Sequence, residues 1–523
     1  MTIEAHSGER WGTRLGLILA MAGNAVGLGN FLRFPVQAAQ NGGGTFMIPY
    51  FISFLLLGIP LMWVEWGIGR YGGRYGYGTV PGMFDSMWKN KIAKYIGVIG
   101  IVMPLVVFIY YTYAVSWMAA FSFFSVVGDY FGQTTVDQMR GYLVDYQNIF
   151  DSAIHPGWVT LLFFIATLGF VTWILSRGLS GGIEKLALIG LPVLFVFAFI
   201  LMIRVLTLPP TPLGSVSEGL NFIWNPEWGK VLDAKVWLAA AGQMFFTLSL
   251  GMGTIHCYAS FLTEKDDVAL TGLATGATNE FAEIVLGGTV AIPAAVVFFG
   301  VEGATAIANG GTYDLGIVAM SVVFQELPGP AFWGQITGFF WFALLFIAGI
   351  TSSVALASPA MAFMQEGFGF KRRSVAVGVG LVALMIGMLH VLLYTKGWYA
   401  EWDYWAGTFG LVIFATIEII IFSFIFGVDR GWKELHNGAD IRIPTVYRVV
   451  IKWITPAFLL ILLGWWTVTA AVPQLLMTNL TDQSQVMWRW GARLMIVAML
   501  AVGLWLIKLA WDRRDAANLQ RGG

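Results

Sequence analysis

The chain has 523 residues, 57% hydrophobic and 11% charged, with 23 Trp and formal net charge zero, and its mean hydropathy is +0.72. Soluble domains carry about 25% charged residues, so this composition excludes a soluble globular class, and the neutral balance without a basic tail argues against nucleic acid as a partner. The lone Cys257 rules out an internal disulfide.

Hydrophobic runs of about 20 residues, the length that crosses a bilayer as helix, predict twelve membrane spans. The first, near 15–38, follows no cleavage-site pattern and is read as an uncleaved anchor. It contains Gly23-Asn24-Ala25-Val26-Gly27-Leu28-Gly29-Asn30, a glycine-interrupted stretch flanked by Asn, and then Arg33. The second, near 45–69, holds Glu65 and runs into Gly67-Ile68-Gly69-Arg70-Tyr71-Gly72. That pattern resembles a dinucleotide fingerprint, but it ends a membrane helix instead of following a strand, so it is discarded. Spans near 95–126, 158–176 and 184–206 complete a first group. The sixth, near 236–262, is interrupted at Thr247-Leu248-Ser249-Leu250-Gly251-Met252-Gly253. Spans near 269–299, with Asn279, Glu280 and Glu283, and near 331–364, with Thr351-Ser352-Ser353, carry further polar groups. Those near 374–394, 404–426, with Glu418, 447–472 and 486–511 follow. His6, His155, His256, His390 and His436 show no metal-ligand spacing, and Asn479-Leu480-Thr481 is a glycosylation sequon meaningful only in a eukaryotic secretory setting.

Basic residues set the expected orientation. Arg10, Arg14, Arg70, Arg74, Lys89, Lys91, Lys94, Lys371, Arg372 and Arg373, the loop 427–446 and Arg513-Arg514 mark one side as cytoplasmic. Segments 127–157 and 300–330 carry seven acidic residues against one basic residue, Arg140, and are placed outside. Both termini then fall inside a multi-pass cell (inner or plasma) membrane protein. Segments 127–157 and 207–235 are long enough for short helices. No linker divides the chain, so 1–523 is one integral domain. Spans one to five (15–206) and six to ten (236–426) form inverted repeats, each opening with a broken helix, and the last two (447–511) are peripheral.

Lipid offers no hydrogen bonds, so broken backbone at membrane depth must line a cavity or be buried in protein. The new helix ends present free N–H and C=O groups of opposite partial charge. Those ends suit a carboxylate at one side and a bare cation at the other. Asn24, Asn30, Thr247, Ser249, Asn279 and Thr351-Ser352-Ser353 supply oxygens around one midplane cavity. The competing reading is that Gly23 and Gly27 serve close helix packing and the hydroxyls bond back to their own helices. Arg33 and Asp403 can close the outer mouth as an ion pair. Glu65 and Glu418 are read as a structural pair, whereas Glu283 is read as a functional charge beside a cation.

The run Arg14-Leu15-Gly16 through Asn30-Phe31-Leu32-Arg33-Phe34-Pro35, with Gln243 to Gly251, Thr351-Ser352-Ser353 and Asp403-Tyr404-Trp405-Ala406-Gly407-Thr408, resembles the neurotransmitter:sodium symporter family along nearly the whole chain. The resemblance implies an all-α polytopic protein of the LeuT fold, with a 5+5 inverted repeat and unwound first and sixth helices. It implies Na⁺-driven import of neutral, mainly hydrophobic amino acids by alternating access, without enzymatic activity. One sodium would lie at Ala25, Asn30, Thr247 and Asn279, and a second at Gly23, Val26, Ala348, Thr351 and Ser352. Substrate would be bound with Asn24 and Leu28 among its contacts, its carboxylate meeting the amides near Gly29 and the Tyr111 hydroxyl, and its ammonium meeting the carbonyls of Ala25, Phe246 and Thr247 and the Ser249 hydroxyl. Its side chain would rest on Val107, Phe246, Met252, Ser352 and Leu356. Met252 and Leu356 replace the Phe and Ile of the bacterial leucine carriers in the family, and Met is an adaptable gap-filler. Arg33 and Asp403 would gate the outside under a Tyr111–Phe246 lid. Trp11 and Glu366 would gate the inside, where Gly8 replaces the family's Arg, Phe261 replaces a gate Tyr, and Arg10 becomes the expected partner of Glu366. Glu283 matches the carboxylate that substitutes for chloride, so no chloride requirement is expected. A lipid bilayer is the expected surrounding, in a monomer or homodimer. The alternatives are a proton-coupled carrier of the same fold and a membrane amino-acid sensor that does not translocate.

Overall fold

The computed structural model describes residues 11–150, 152–478 and 480–522, all helix and loop without a strand among them. Gly8, Arg10 and Asn479, which figure in the expectations above, lie outside these residues. Every expected apolar run is helical. Among the described residues ten helices are long and apolar enough to cross a membrane, and the bent pair Arg14–Ala25 and Gly29–Gln40, angled at 45°, makes eleven. The expected count of twelve falls short by that measure because the sixth run folds as Ala234–Thr247 and Thr254–Ala259, 14 and 6 residues long. Neither piece alone reaches across roughly 30 Å of hydrocarbon at about 1.5 Å per residue. Their separation is built into the backbone: Ser249, Gly251 and Gly253 all have positive φ, at 54°, 69° and 71°.

Two helices outrun their apolar segments in the same way. Val268–Ala308 and Trp398–His436 pass through Gly300 and Gly427, at φ 70° and 96°, each directly after the expected end of a span. A residue without Cβ lets the chain turn there as it leaves the apolar layer. The acidic loops contain the short helices Val136–Gln147 and Asp314–Gln325, joined by Arg140, which pairs with Asp314 at 2.8 Å and Asp137 at 2.9 Å. Segment 207–235 carries Val216–Trp224, started by a capping box of Ser215 and Glu218. On the basic side, fully buried Arg70 pairs with Glu434 at 2.9 Å and donates to the carbonyl of Asn437 at 2.8 Å. The second span is thereby tied to the end of the tenth.

The first span is started with care. Thr13 caps it by accepting from Gly16 N–H at 2.9 Å, and the Glu184 carboxylate accepts from the Gly12 and Thr13 amides at 2.7 and 3.0 Å. A carboxylate there satisfies orphan amides and complements the positive helix end.

Candidate functional site between two broken helices

The first break unwinds at Val26 (φ −74°, ψ 93°). Its exposed amides are met individually. Gly27 N–H donates to Asn30 Oδ1 at 2.8 Å, and Leu28 N–H donates to the Tyr111 hydroxyl at 3.0 Å. The glycines are required by proximity: a Cβ on Gly27 would sit 2.8 Å from Ser352 Oγ, and one on Gly29 would sit 2.7 Å from the Phe246 ring. The small residues thus serve close approach, as the packing reading expected, yet what approaches them is the polar and aromatic wall of a cavity.

At the second break Ser249 Oγ donates to the Asn24 carbonyl at 2.9 Å, which ties the two breaks together. Asn24 Nδ2 reaches Thr254 Oγ1 at 3.2 Å, while its buried Oδ1 has no protein partner. Between the breaks lies a small cavity of about 20 Å³ lined by Asn24, Ala25, Gly27, Gly29, Val107, Tyr111, Phe246, Ser249, Met252, Ser352 and Leu356. Of the residues expected around a substrate, the lining omits Leu28, which faces Tyr111 through its amide, and Thr247, which belongs to the polar cluster beside it. No charged side chain lines this cavity.

Asn30, Thr247, Asn279 and Glu283 form one buried cluster. Asn30 Nδ2 lies 2.8 Å from Asn279 Oδ1 and 3.2 Å from both Thr247 Oγ1 and Glu283 Oε2. Glu283 also accepts from Gln243 at 2.6 Å and from the Thr247 hydroxyl. One polar atom of the Asn279 carboxamide stands 3.1 Å from the Ala25 carbonyl oxygen and 3.2 Å from that of Thr247. As oxygen it accepts from Asn30 Nδ2 at 2.8 Å and from the Thr247 hydroxyl at 3.3 Å; as nitrogen it would donate to both carbonyls but face the Asn30 donor. The donor set, uncharged oxygens with one carboxylate behind them, suits a monovalent hard cation.

A second cluster joins the first and eighth spans. The Ala348 carbonyl accepts from Thr351 Oγ1 at 2.9 Å and Ser352 Oγ at 3.2 Å, and Ser352 also reaches the carbonyls of Gly23 and Asn24 at 3.4 and 3.3 Å. The hydroxyls do bond back to their own helix, as the competing reading held, and they converge with Gly23 while doing so. Val26 lies where the first helix ends.

Above the cavity Arg33 lies 4.5 Å over the Phe246 ring, and Asp403 accepts from the Tyr110 hydroxyl at 2.9 Å. No ion pair joins Arg33 to Asp403 among the described residues. The expected direct pair is corrected to a spaced one: both line a cavity of about 140 Å³ with Tyr313, Tyr399, Tyr110 and Phe246, and each already has an aromatic partner. On the basic side the Trp11 indole donates to the Tyr258 carbonyl at 3.3 Å. Glu366 pairs with Arg514 at 2.6 Å and accepts from Gly78 N–H at 2.9 Å, so a residue of the last helix holds it.

Sequence reasoning paired Glu65 with Glu418 but treated His256 as isolated. The three are in fact together, each completely buried, with the imidazole 3.4 Å from either carboxylate.

Tyr111 anchors the first break through one hydroxyl. Replacing Tyr111 by Phe strands the Leu28 amide at a cost of about 1–3 kcal/mol, so the half-saturating concentration of whatever ligand fills the pocket should rise about tenfold or more, as ligand titration would show. An unchanged value would remove the hydroxyl from the site.

Comparison with known proteins follows this geometry. The sodium:neurotransmitter symporter family model matches residues 8–139 and 133–512. An uncharacterized sodium-dependent transporter of Methanocaldococcus jannaschii is 28% identical over 463 residues, covering 86% of this chain and 89% of the relative. Sodium-dependent nutrient amino acid transporter 1 of Drosophila erecta is 24% identical, covering 88% of this chain and 78% of the relative. The crystal structure of MhsT in complex with L-phenylalanine aligns with a TM-score of 0.74 at 25% identity, covering 87% of this chain and 98% of that one.

Proposed function

Since this chain belongs to the sodium:neurotransmitter symporter family and is a sodium-dependent symporter, we propose that its cargo is a neutral, mainly hydrophobic amino acid, imported by alternating access across the cell (inner or plasma) membrane with both termini cytoplasmic. One observation carries the reading: the cavity between the breaks joins polar backbone ends to an apolar wall and has no charged side chain in its lining. A zwitterion's two charges then have only helix ends and hydroxyls to meet, and a third, side-chain charge would lie unpaired among buried residues. The carboxylate faces Gly29 and Tyr111. The ammonium faces carbonyls near Ala25, Phe246 and Thr247 with Ser249, and the side chain fits against Val107, Met252 and Leu356. The name of the Drosophila relative supports an amino-acid cargo, and L-phenylalanine in MhsT supports an apolar one.

Sodium as co-cargo is assigned to Ala25, Asn30, Thr247 and Asn279, and a second to Gly23, Val26, Ala348, Thr351 and Ser352. Glu283 supplies the compensating charge without chloride. Arg33 and Asp403 close the outer mouth around the 140 Å³ vestibule, and Trp11 with Glu366 holds the inner one. Spans within 15–206 and 236–426 act as the two repeats, flanked by 447–511.

The test is uptake of labelled amino acids into proteoliposomes under an inward Na⁺ gradient, an inward proton gradient, or neither. Concentrative uptake of leucine, phenylalanine or similar substrates only with Na⁺ is the expected result. Accumulation driven by protons alone rejects the sodium assignments, and saturable binding without accumulation rejects transport. In the same assay Met252→Phe, which fills the apolar end with a rigid ring, should lower the phenylalanine-to-leucine ratio of kcat/KM about tenfold, within the range that small changes of pocket size produce. A ratio that stays fixed would take Met252 out of the side-chain wall.

A further inference from the structure

Glu65 of the second span, His256 of the short helix beyond the second break and Glu418 of the tenth span meet where no solvent reaches, each 0% exposed. His256 Nδ1 lies 3.4 Å from Glu65 Oε2, and Nε2 lies 3.4 Å from Glu418 Oε2. The other Glu65 oxygen accepts from Gly251 N–H at 2.7 Å. The two carboxylates also lie within hydrogen-bond reach of each other, and among the described residues neither the ring nitrogens nor Glu65 Oε2 and the Glu418 oxygens find a partner outside the cluster.

Among the described residues no counter-charge comes from the packed elements: the eighth and first spans, which also pack on the His256 helix, carry Glu366, committed to Arg514, and Arg14, committed to Asp440. On the second span Arg70 and Arg74 are committed to Glu434. On the tenth, the Phe414 ring lies 6.1 Å from the imidazole, and Asp403 at the far end is bonded to Tyr110. Beyond His256 on its own helix, Tyr258 packs edge-on to Trp11 at 5.3 Å. The third span brings the Gly100 backbone against Gly253. Two ionised carboxylates buried together without a cation are strongly disfavoured, so the cluster must hold protons or a metal. One ring nitrogen and an oxygen of each carboxylate do lie within 4.8 Å of one another, but three protein ligands are one short of a closed tetrahedral structural site, so protons are the reading pursued and a metal is the alternative the test must exclude.

We propose that Glu65, His256 and Glu418 form a proton-binding site coupled to motion at the second break. With a neutral ring and one protonated carboxyl, the cluster carries one negative charge, and one further proton neutralises it. The imidazole passes that proton without turning: the Glu418 O–H bond breaks as Nε2–H forms, and Nδ1–H breaks as a Glu65 O–H forms. His256 sits beyond hinge residues Gly251 and Gly253, whereas Glu418 belongs to another span, so opening the hinge separates and hydrates the three. Protonation therefore favours the closed arrangement and ionisation the open one. The coupling rests on the transport reading above; the proton site does not.

Infrared difference spectra of reconstituted protein between about pH 5 and pH 9, the range where imidazole-linked groups titrate, test the site directly. A carboxylic-acid C=O band that titrates in the wild type, disappears in Glu65→Gln or Glu418→Gln and shifts its midpoint in His256→Gln and His256→Ile is expected. In parallel, Na⁺-driven leucine uptake should slow as the pH falls, by up to about tenfold per unit, the ceiling for one proton, and both His256 variants should flatten that dependence. A spectrum without such a band, wild-type pH dependence retained in both His256 variants, or a stoichiometric divalent metal in the purified protein that His256→Gln abolishes would each overturn the proposal. A titrating band in protein that accumulates no amino acid would bear out the proton site while rejecting transport.

Discussion

Glu283→Gln should weaken sodium activation of uptake roughly a hundredfold while leaving the folded protein in the membrane. The carboxylate accepts from Gln243 at 2.6 Å and Asn30 at 3.2 Å and stands behind the Asn30–Thr247–Asn279 cluster, fully buried. At an effective dielectric of about 20 and a separation of about 5 Å, one unit charge stabilises a bound cation by ~3 kcal/mol, or about two orders of magnitude in affinity. Glutamine keeps the size and one acceptor oxygen, so the loss is mostly electrostatic. The sodium concentration for half-maximal uptake, together with radiosodium binding, measures it, and thermal unfolding controls for damage. A variant that retains wild-type sodium activation would show that the cation does not sit beside Glu283.

The largest structural effect is expected at Gly253. Its φ of 71° lies in the left-handed region, and a Cβ there would stand 2.2 Å from the Gly100 carbonyl oxygen of the third span. That obstacle is backbone and cannot swing aside. An alanine incurs about 1–2 kcal/mol for the conformation and about 1–3 kcal/mol for the overlap, together a large share of a typical net stability of about 5–15 kcal/mol. Gly253→Ala should therefore lower the unfolding temperature of the purified protein by several degrees and abolish uptake, because the short helix beyond the break can no longer seat. Gly378→Ala, where nothing lies within 4 Å, is the matched control. Equal unfolding temperatures and uptake in both variants would mean that the third span does not hold the break from behind.

The contrast between these residues explains what the sequence disclosed. Span positions and both breaks were legible because lipid imposes a strong compositional rule and because Gly-rich stretches inside apolar runs have few other uses. The ends of the seventh and tenth spans were legible too, as the apolar composition stops where Gly300 and Gly427 turn the chain. Residue types around the cavity followed from the oxygens clustered at the breaks. The Glu65–His256–Glu418 association was not legible, since three residues on three separate spans carry no spacing signal and become neighbours only through packing. The spacing of Arg33 from Asp403 was hidden for a related reason: opposite charges near one mouth suggest a pair, but Tyr110 and Phe246, which engage them, are indistinguishable in sequence from the other core aromatics. Glu366 and Arg514 likewise meet only after the last helix folds back.

The Asn279 carboxamide carries a consequence for turnover. A transporter must come back empty, and a site made solely of carbonyls would face that return with mutually repelling oxygens exposed to one another. Here Asn30 Nδ2 already donates to Asn279 Oδ1 at 2.8 Å and to Thr247 Oγ1 at 3.2 Å, so if the cluster carries the proposed sodium its oxygens keep a donor of their own once the ion leaves. A vacant carrier would thereby be spared part of the cost of an unfilled cage.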